Sequence, residues 1–177
     1  MDNRKWYALY TRSKAEKKLA LELQHAGIEH FLPLVLRLRQ WSDRKKKVEE
    51  PLFRSYIFVK IESRDFWMIQ NLPNAMRLVS FGGNPVEVPL QEILAIKHYI
   101  NDPETEEEAE MAALTEGQLV RVKTGPMEGL IGRMVHYQNK FRLVVMIETI
   151  GQSIRLNIAR TRVEEINDPD FTNNGHH

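Results

Sequence analysis

The sequence predicts a two-domain α+β chain: an antiparallel sheet flanked by helices over residues 1–102, then a small closed β-barrel over residues 117–167. Three observations carry this reading. Strand-like and helix-like patterns alternate in the first half, only short strands with turn signals occur after Gly117, and an acidic run separates the two. A chain of 177 residues holds one large domain or two small ones, and the change of pattern selects two.

Residues 6–10 form a short apolar and aromatic run suited to a buried strand. Ser13 stands where a helix N-cap is expected, with Glu16 at the capping-box position. Ala15, Leu19, Leu23 and Ala26 then recur at helical spacing, and Gly27 supplies the stop. Residues 28–41 read as strand, and VLRLRQW alternates so that Arg37 and Arg39 share a face. A hairpin region follows, basic over 42–47 and acidic over 48–51, before the strongest strand of the chain, LFRSYIFVKI. Residues 64–71 suit a short amphipathic helix ended by Pro73, and MRLVSFGGNPVEV reads as two strands around a Gly82-Gly83-Asn84-Pro85 turn. A last helix over 91–99 turns Ile93, Leu94, Ile96 and Ile100 inward. The order is β-α-β-β-α-β-α, helices packed on a mainly antiparallel sheet.

Five Glu fall between Glu104 and Glu110. Self-repulsion keeps such a run open and solvated, so residues 103–116 read as an interdomain linker; the alternative is an extension of the preceding helix. Beyond it come LVRVK, the GPMEG turn, LIGRMVHY, FRLVVMIE, and SIRLNIA with TRVEEI. Five short strands in so few residues imply a barrel, because closure buries little apolar surface without leaving exposed edges. Residues 168–177 read as a disordered tail.

Composition excludes several function classes. With 42% hydrophobic and 28% charged residues and no apolar run near the roughly 18 residues of a membrane span, no membrane role is expected. The N-terminus lacks the apolar stretch of a secretory signal, which predicts a cytoplasmic protein. Zero cysteines removes disulfide frameworks, thiolate zinc sites and cysteine nucleophiles together. His25, His30, His98 and His136 are scattered without metal-ligand spacing, and neither a phosphate-binding glycine loop nor a nucleophile motif occurs. No enzyme, cofactor or metal is expected. Up to residue 102 the chain has 17 Lys+Arg against 12 Asp+Glu (+5), and from 103 onward 8 against 12 (−4). The basic first half suggests a polyanion nearby.

In the second half, Gly117, Val120, Val122, Gly125-Pro126, Gly129 and Gly132 in EGQLVRVKTGPMEGLIGRMV resemble a KOW motif, the strand-loop-strand signature of small SH3-like barrels. The alternative is any glycine-punctuated hairpin. The first half resembles the NusG N-terminal domain in its WYALYTRSKAEKKLA opening, then EEPLFRSYIFVKI, then LVSFGGNPVEVP before a closing helix. Together the resemblances cover nearly all of residues 5–166. Within that family, the Pro-Leu-Phe-x-x-Tyr stretch looks more like the specialised, operon-specific branch that includes RfaH and the antiterminators of polysaccharide gene clusters.

The resemblance implies a monomeric transcription elongation and antitermination factor that binds the clamp helices of the RNA polymerase largest subunit and suppresses pausing or termination. Strict alternation through the strand from Phe53 puts Phe53, Ser55, Ile57 and Val59 on one face and Arg54, Tyr56, Phe58 and Lys60 on the other. Large apolar groups thus lie on both faces, and the polymerase-binding positions implied are Tyr10, Phe53, Tyr56, Phe58 and Phe81; the alternative for any one ring is ordinary core. Arg12, Lys14, Lys17 and Lys18, with Arg44, Lys45, Lys46 and Lys47 of the hairpin, are the candidates for holding the non-template DNA strand or the upstream duplex through phosphate contacts. The alternative for the hairpin cations is a solvated turn. Met127 and Ile150 occupy the barrel loop positions that the family uses to bind a small-subunit ribosomal protein. Glu49 or Glu50 is placed to pair with Arg160 or Arg162 if the barrel masks the aromatic patch. Two other readings stay open: a general housekeeping NusG factor, and a KOW-type ribosome- or RNA-binding module, which predicts a strongly basic second half.

Overall fold

The computed structural model describes residues 3–101, 117–137 and 140–166; the predicted linker at 103–116 and tail at 168–177 lie outside the described residues. The chain divides into two compact units, Met1–Leu90 with Glu148–Ile150, and Gln91–Ile147 with Gly151–His177. The division falls earlier than the expected boundary at 102. That expectation marked where apolar periodicity ends, which says nothing about the unit with which the last helix groups.

The first unit is built on a four-stranded antiparallel sheet of order β2-β5-β1-β6. It uses β1 (Lys5–Thr11), β2 (Glu29–Phe31), β5 (Tyr56–Ile61) and β6 (Ala75–Leu78). The register sets Tyr7 against Val59 and Leu9 against Ile57. These four residues share one face, where they pack with Ile61, with Leu19 and Leu23 of α1 (Glu16–His25), and with Ile69 of α2 (Phe66–Gln70). Each such fully buried aliphatic side chain contributes about 1.5–3 kcal/mol.

The expected capping of α1 by Ser13 does not occur. Lys14 takes a left-handed conformation with φ 59°, so the helix begins at Glu16 with Ala15 as its N-cap and no side-chain cap. Its other end is as the sequence predicts. Gly27 has φ 69°, its N–H donates to the Gln24 carbonyl, and the Ile28 N–H donates to that of Leu23, a Schellman stop.

Glu16 has a different task from the predicted capping box. It is buried at 6% exposure, and its Oε1 accepts the backbone N–H of Ser55 at 2.7 Å. Ser55 is itself left-handed, φ 63°, and ends a turn, so β5 starts at Tyr56 rather than at Leu52. Nearly two helical turns further on, Glu22 accepts the Asn74 N–H at 3.2 Å and the Asn74 side-chain amide. Two carboxylates of α1 therefore hold the loops that lead into β5 and β6.

The long strand predicted over 28–41 is split at Pro33, which cannot donate to a ladder. Its second part, β3 (Leu34–Gln40), pairs with β4 (Lys45–Pro51) as a separate two-stranded ribbon. A second small ribbon, β7 (Ser80–Phe81) with β8 (Asn84–Pro85), turns at Gly82 and Gly83, both with positive φ.

The second unit includes α3 (Leu90–Asn101), most of which falls within it, and a five-stranded antiparallel sheet of order β12-β11-β10-β9-β13. Its strands are β9 (Gln118–Val122), β10 (Ile131–Tyr137), β11 (Lys140–Ile147), β12 (Gln152–Asn157) and β13 (Val163–Glu165). These are the five strands predicted, and their buried residues, among them Val120, Val122, Leu143, Val145, Ile154 and Leu156, form the interior of a small SH3-like barrel. Gly132 sits where a Cβ would meet the Val144 carbonyl oxygen at 2.5 Å. Among the described residues no helix is long and apolar enough to cross a membrane.

Two stability predictions follow from these contacts. Glu16→Ala leaves the Ser55 N–H without its buried acceptor, and urea unfolding should report a loss of about 1–3 kcal/mol. Gly132→Ala forces β10 away from β11, and should cost about 1–3 kcal/mol in the same measurement, with no restoration by Gly132→Ser.

Candidate functional site

On the sheet face opposite α1 and α2, three adjacent strands bring three side chains into one row. The register pairs Tyr10 with Tyr56 on one side and with Arg77 on the other. The tyrosine rings meet edge to face with centroids 5.1 Å apart, a geometry that aromatic quadrupoles favour. Both rings are half-buried and Arg77 is exposed. Burial raises the Tyr56 hydroxyl pKa above its ordinary value, with a further push from Tyr10 and a smaller opposing pull from Arg77. Tyr56 therefore stays a protonated hydrogen-bond donor at neutral pH.

The structure corrects two of the five expected polymerase-binding rings. Phe58 is 0% exposed and Phe53 2%. Phe58 stacks on Phe31 at 6.2 Å and meets Phe53 edge to face at 6.1 Å. The left-handed Ser55 breaks the strict alternation assumed from sequence, so Phe53 joins Phe58 instead of facing the helices. Phe81 is the opposite case: at 85% exposure it projects from the β7 end of its ribbon, beside the Gly82-Gly83 turn.

Of the expected cations, Arg12, Lys14, Lys17 and Lys18 are all exposed at the start of α1. Lys17 is already engaged: its Nζ donates to the Glu49 carbonyl at 3.1 Å and lies 3.7 Å from the Glu49 carboxylate. That contact ties the α1 start to β4. Arg44, Lys45, Lys46 and Lys47 are exposed along the outer part of the ribbon. Glu50 is gripped by Arg39, with Nε and Nη2 donating at 2.8 and 2.7 Å. That hydrogen bond, more than the added attraction of Arg37 and Arg54, lowers the Glu50 pKa against the opposing effect of burial.

Met127 of the GPMEG loop is 8% exposed, and Gly125 and Gly129 of that loop have φ 95° and 86°. Ile150 ends a 3-10 turn that groups with the first unit. The acidic partners expected for Arg160 are also taken differently. Glu49 holds Lys17, Glu50 holds Arg39, and Arg160 lies 3.7 Å from Glu165. Among the described residues no three His, Asp or Glu side chains converge to hold a metal.

Sequence reasoning missed Arg77 and Trp41. Arg77 needs the β1–β6 register to be placed. Trp41, 57% exposed, carries a local signal: an aromatic residue at a Ser-Asp turn between two strands rich in Arg and Lys.

Residues 4–97 match the family described as transcription termination factor nusG. The NusG transcription termination/antitermination protein of Rickettsia bellii is 29% identical over 93% of this chain and 91% of its own length. That of Staphylococcus aureus is 22% identical over 92% and 96%. A solved structure of Thermotoga maritima NusG, which concerns domain interaction in that protein, aligns with a TM-score of 0.51 at 25% identity, covering 93% of this chain and 98% of that one.

The Glu50–Arg39 pair makes the β3–β4 ribbon acid-sensitive. A carboxylate whose pKa is lowered on folding adds stability above its ordinary value and loses that contribution as pH falls through the lowered one. Amide-exchange protection of residues 36–47 should therefore fall on acidification below the usual carboxylate range, whereas Glu50→Gln should start lower and show no such step.

Proposed function

The chain belongs to the NusG family of transcription termination and antitermination factors, which are not enzymes, and from that premise we propose that it docks on the clamp helices of the largest subunit of elongating RNA polymerase. The contact is made by Tyr10, Tyr56 and Arg77, with Phe81 as an outlying anchor. One observation carries this reading. A tyrosine pair in edge-to-face contact, half-exposed and flanked by a guanidinium, offers apolar area, hydroxyl donors and charge on a rigid sheet. Tyr and Arg are the residues on which binding energy concentrates at interfaces.

A factor that spans the polymerase cleft holds the clamp closed and disfavours the opening that accompanies pausing. A bias of about 1.4 kcal/mol changes that equilibrium tenfold, so no chemistry is required of the chain. Arg12, Lys14 and Lys18, together with Arg44, Lys45, Lys46 and Lys47 of the ribbon, hold the non-template DNA strand in this reading. Lys17 acts as their tether through Glu49. Exposure and the Lys17–Glu49 tie between α1 and β4 support that assignment, and counterion release makes such contacts strongly salt-dependent. Action confined to particular operons, such as polysaccharide clusters, is the narrower part of the proposal and rests on the Pro-Leu-Phe-x-x-Tyr stretch; mapping chromosomal occupancy tests it. A ribosomal partner for the barrel forms no part of it.

The test is titration of the full chain onto transcribing polymerase. Tyr10→Ala with Tyr56→Ala should weaken binding by roughly tenfold or more and restore pausing, while Tyr56→Phe should retain most of both. Unchanged affinity in the double variant would discard the proposed docking row.

A further inference from the structure

The β3–β4 ribbon carries a side chain that packing does not explain. Its turn is closed by the Trp41 N–H donating to the Arg44 carbonyl at 2.8 Å, which sets Trp41 at the tip. The ring is 57% exposed, and the ribbon has little apolar cover in its outer part, where Leu36 and Leu38 are 64% and 55% exposed. A tryptophan serving stability would be expected to bury its large ring.

The register shows what shares its face. Arg39 pairs with Lys46 and Arg37 with Val48, and alternation puts Trp41, Arg39, Arg37, Arg44 and Lys46 on one side. The other side holds Leu36, Leu38 and Gln40, with Glu49, Lys47 and Lys45 respectively across from them. Glu50, the carboxylate on the tryptophan side, lies at the ribbon's base and is held by Arg39. An exposed indole therefore stands at the end of a strip of cations, with Asp43 of the turn 3.9 Å from Arg44 and Glu49 and Glu50 at the ribbon's base.

We infer that Trp41 is a base-stacking residue, and that the ribbon is a binding arm for single-stranded nucleic acid: its cations follow the phosphates and the indole stacks on an unpaired base. Every base has a π-face, so such a platform binds without strong sequence preference. A duplex hides those faces inside its own stack, which is why the ring selects a single strand. The inference rests on the nucleic-acid half of the proposed function and not on the docking row.

The test therefore uses the full chain without polymerase. In a Trp67→Phe background the exposed indole left is Trp41, since Trp6 is 7% exposed. Titration with a short oligo(dT) should quench the fluorescence, and the same sequence as a duplex should quench it much less. Trp41→Ala should weaken oligo(dT) binding roughly fivefold or more without changing its salt slope, Trp41→Phe should recover part of the loss, and Trp41→Leu should not. Arg37→Ala with Lys46→Ala should flatten the salt slope. Equal quenching by duplex, or full affinity in Trp41→Ala or Trp41→Leu, would overturn the stacking role while leaving the cations as phosphate contacts. Absence of any oligonucleotide binding at low salt would overturn the arm itself and the nucleic-acid half of the proposed function, with the polymerase docking row still standing.

Discussion

The buried carboxylate of Glu16 is the contact on which the geometry of the first unit depends. It accepts the N–H of Ser55 where the chain takes a left-handed turn that costs a non-glycine residue of order 1–3 kcal/mol. A hydrogen bond to a charged group contributes about 1.5–3 kcal/mol, enough to offset that strain. The turn decides where β5 begins, and so which rings face inward. Phe53 goes to Phe58, which stacks on Phe31, while Tyr56 remains at the strand's start, opposite Tyr10. Glu22 does the same for β6 through Asn74, which fixes the strand that carries Arg77. One helix thus aligns two strand ends, those of β5 and β6, on either side of β1, and the row Tyr56–Tyr10–Arg77 is the result.

The β3–β4 ribbon obeys different physics. It lies outside the four-stranded sheet and, with Leu36 and Leu38 exposed, its outer part has little burial to hold it. Its order comes from polar ties, Arg39 on Glu50 and Lys17 on Glu49. Exposed ion pairs of this kind are worth little individually, so the arm's tip can adapt to a partner while its base stays anchored. A rigid aromatic row and an adaptable basic arm on the same unit suit a factor that grips a protein and follows a nucleic acid.

Much of this was legible in the residues themselves. The α+β order, the five strands after Gly117 and the Schellman stop at Gly27 follow from local periodicity and turn chemistry, where tertiary contacts only confirm the local preference. The failures are equally specific. Ser13 did not cap α1 because Lys14 is left-handed, and the alternation through Phe53 failed at Ser55, a non-glycine residue for which positive φ has no sequence signal. Both lie next to Glu16, whose role is set by a residue 39 positions away. Long-range contacts also explain why Arg77 was missed, and why the burial of Phe53 and Phe58 was not foreseen: a hydrophobe's exposure depends on what covers it. Tyr10 and Phe81 needed only their own strand and turn.

The central claim is that the outer row of the first unit's sheet faces the polymerase. Oxidative side-chain footprinting of the chain, alone and on a transcribing complex, addresses it directly. Strong protection of Tyr10, Tyr56 and Phe81 in the complex, with Met68 and Trp67 on the helical side labelled as before, is the result the account predicts. Unchanged labelling of the three rings in a saturated complex would contradict it.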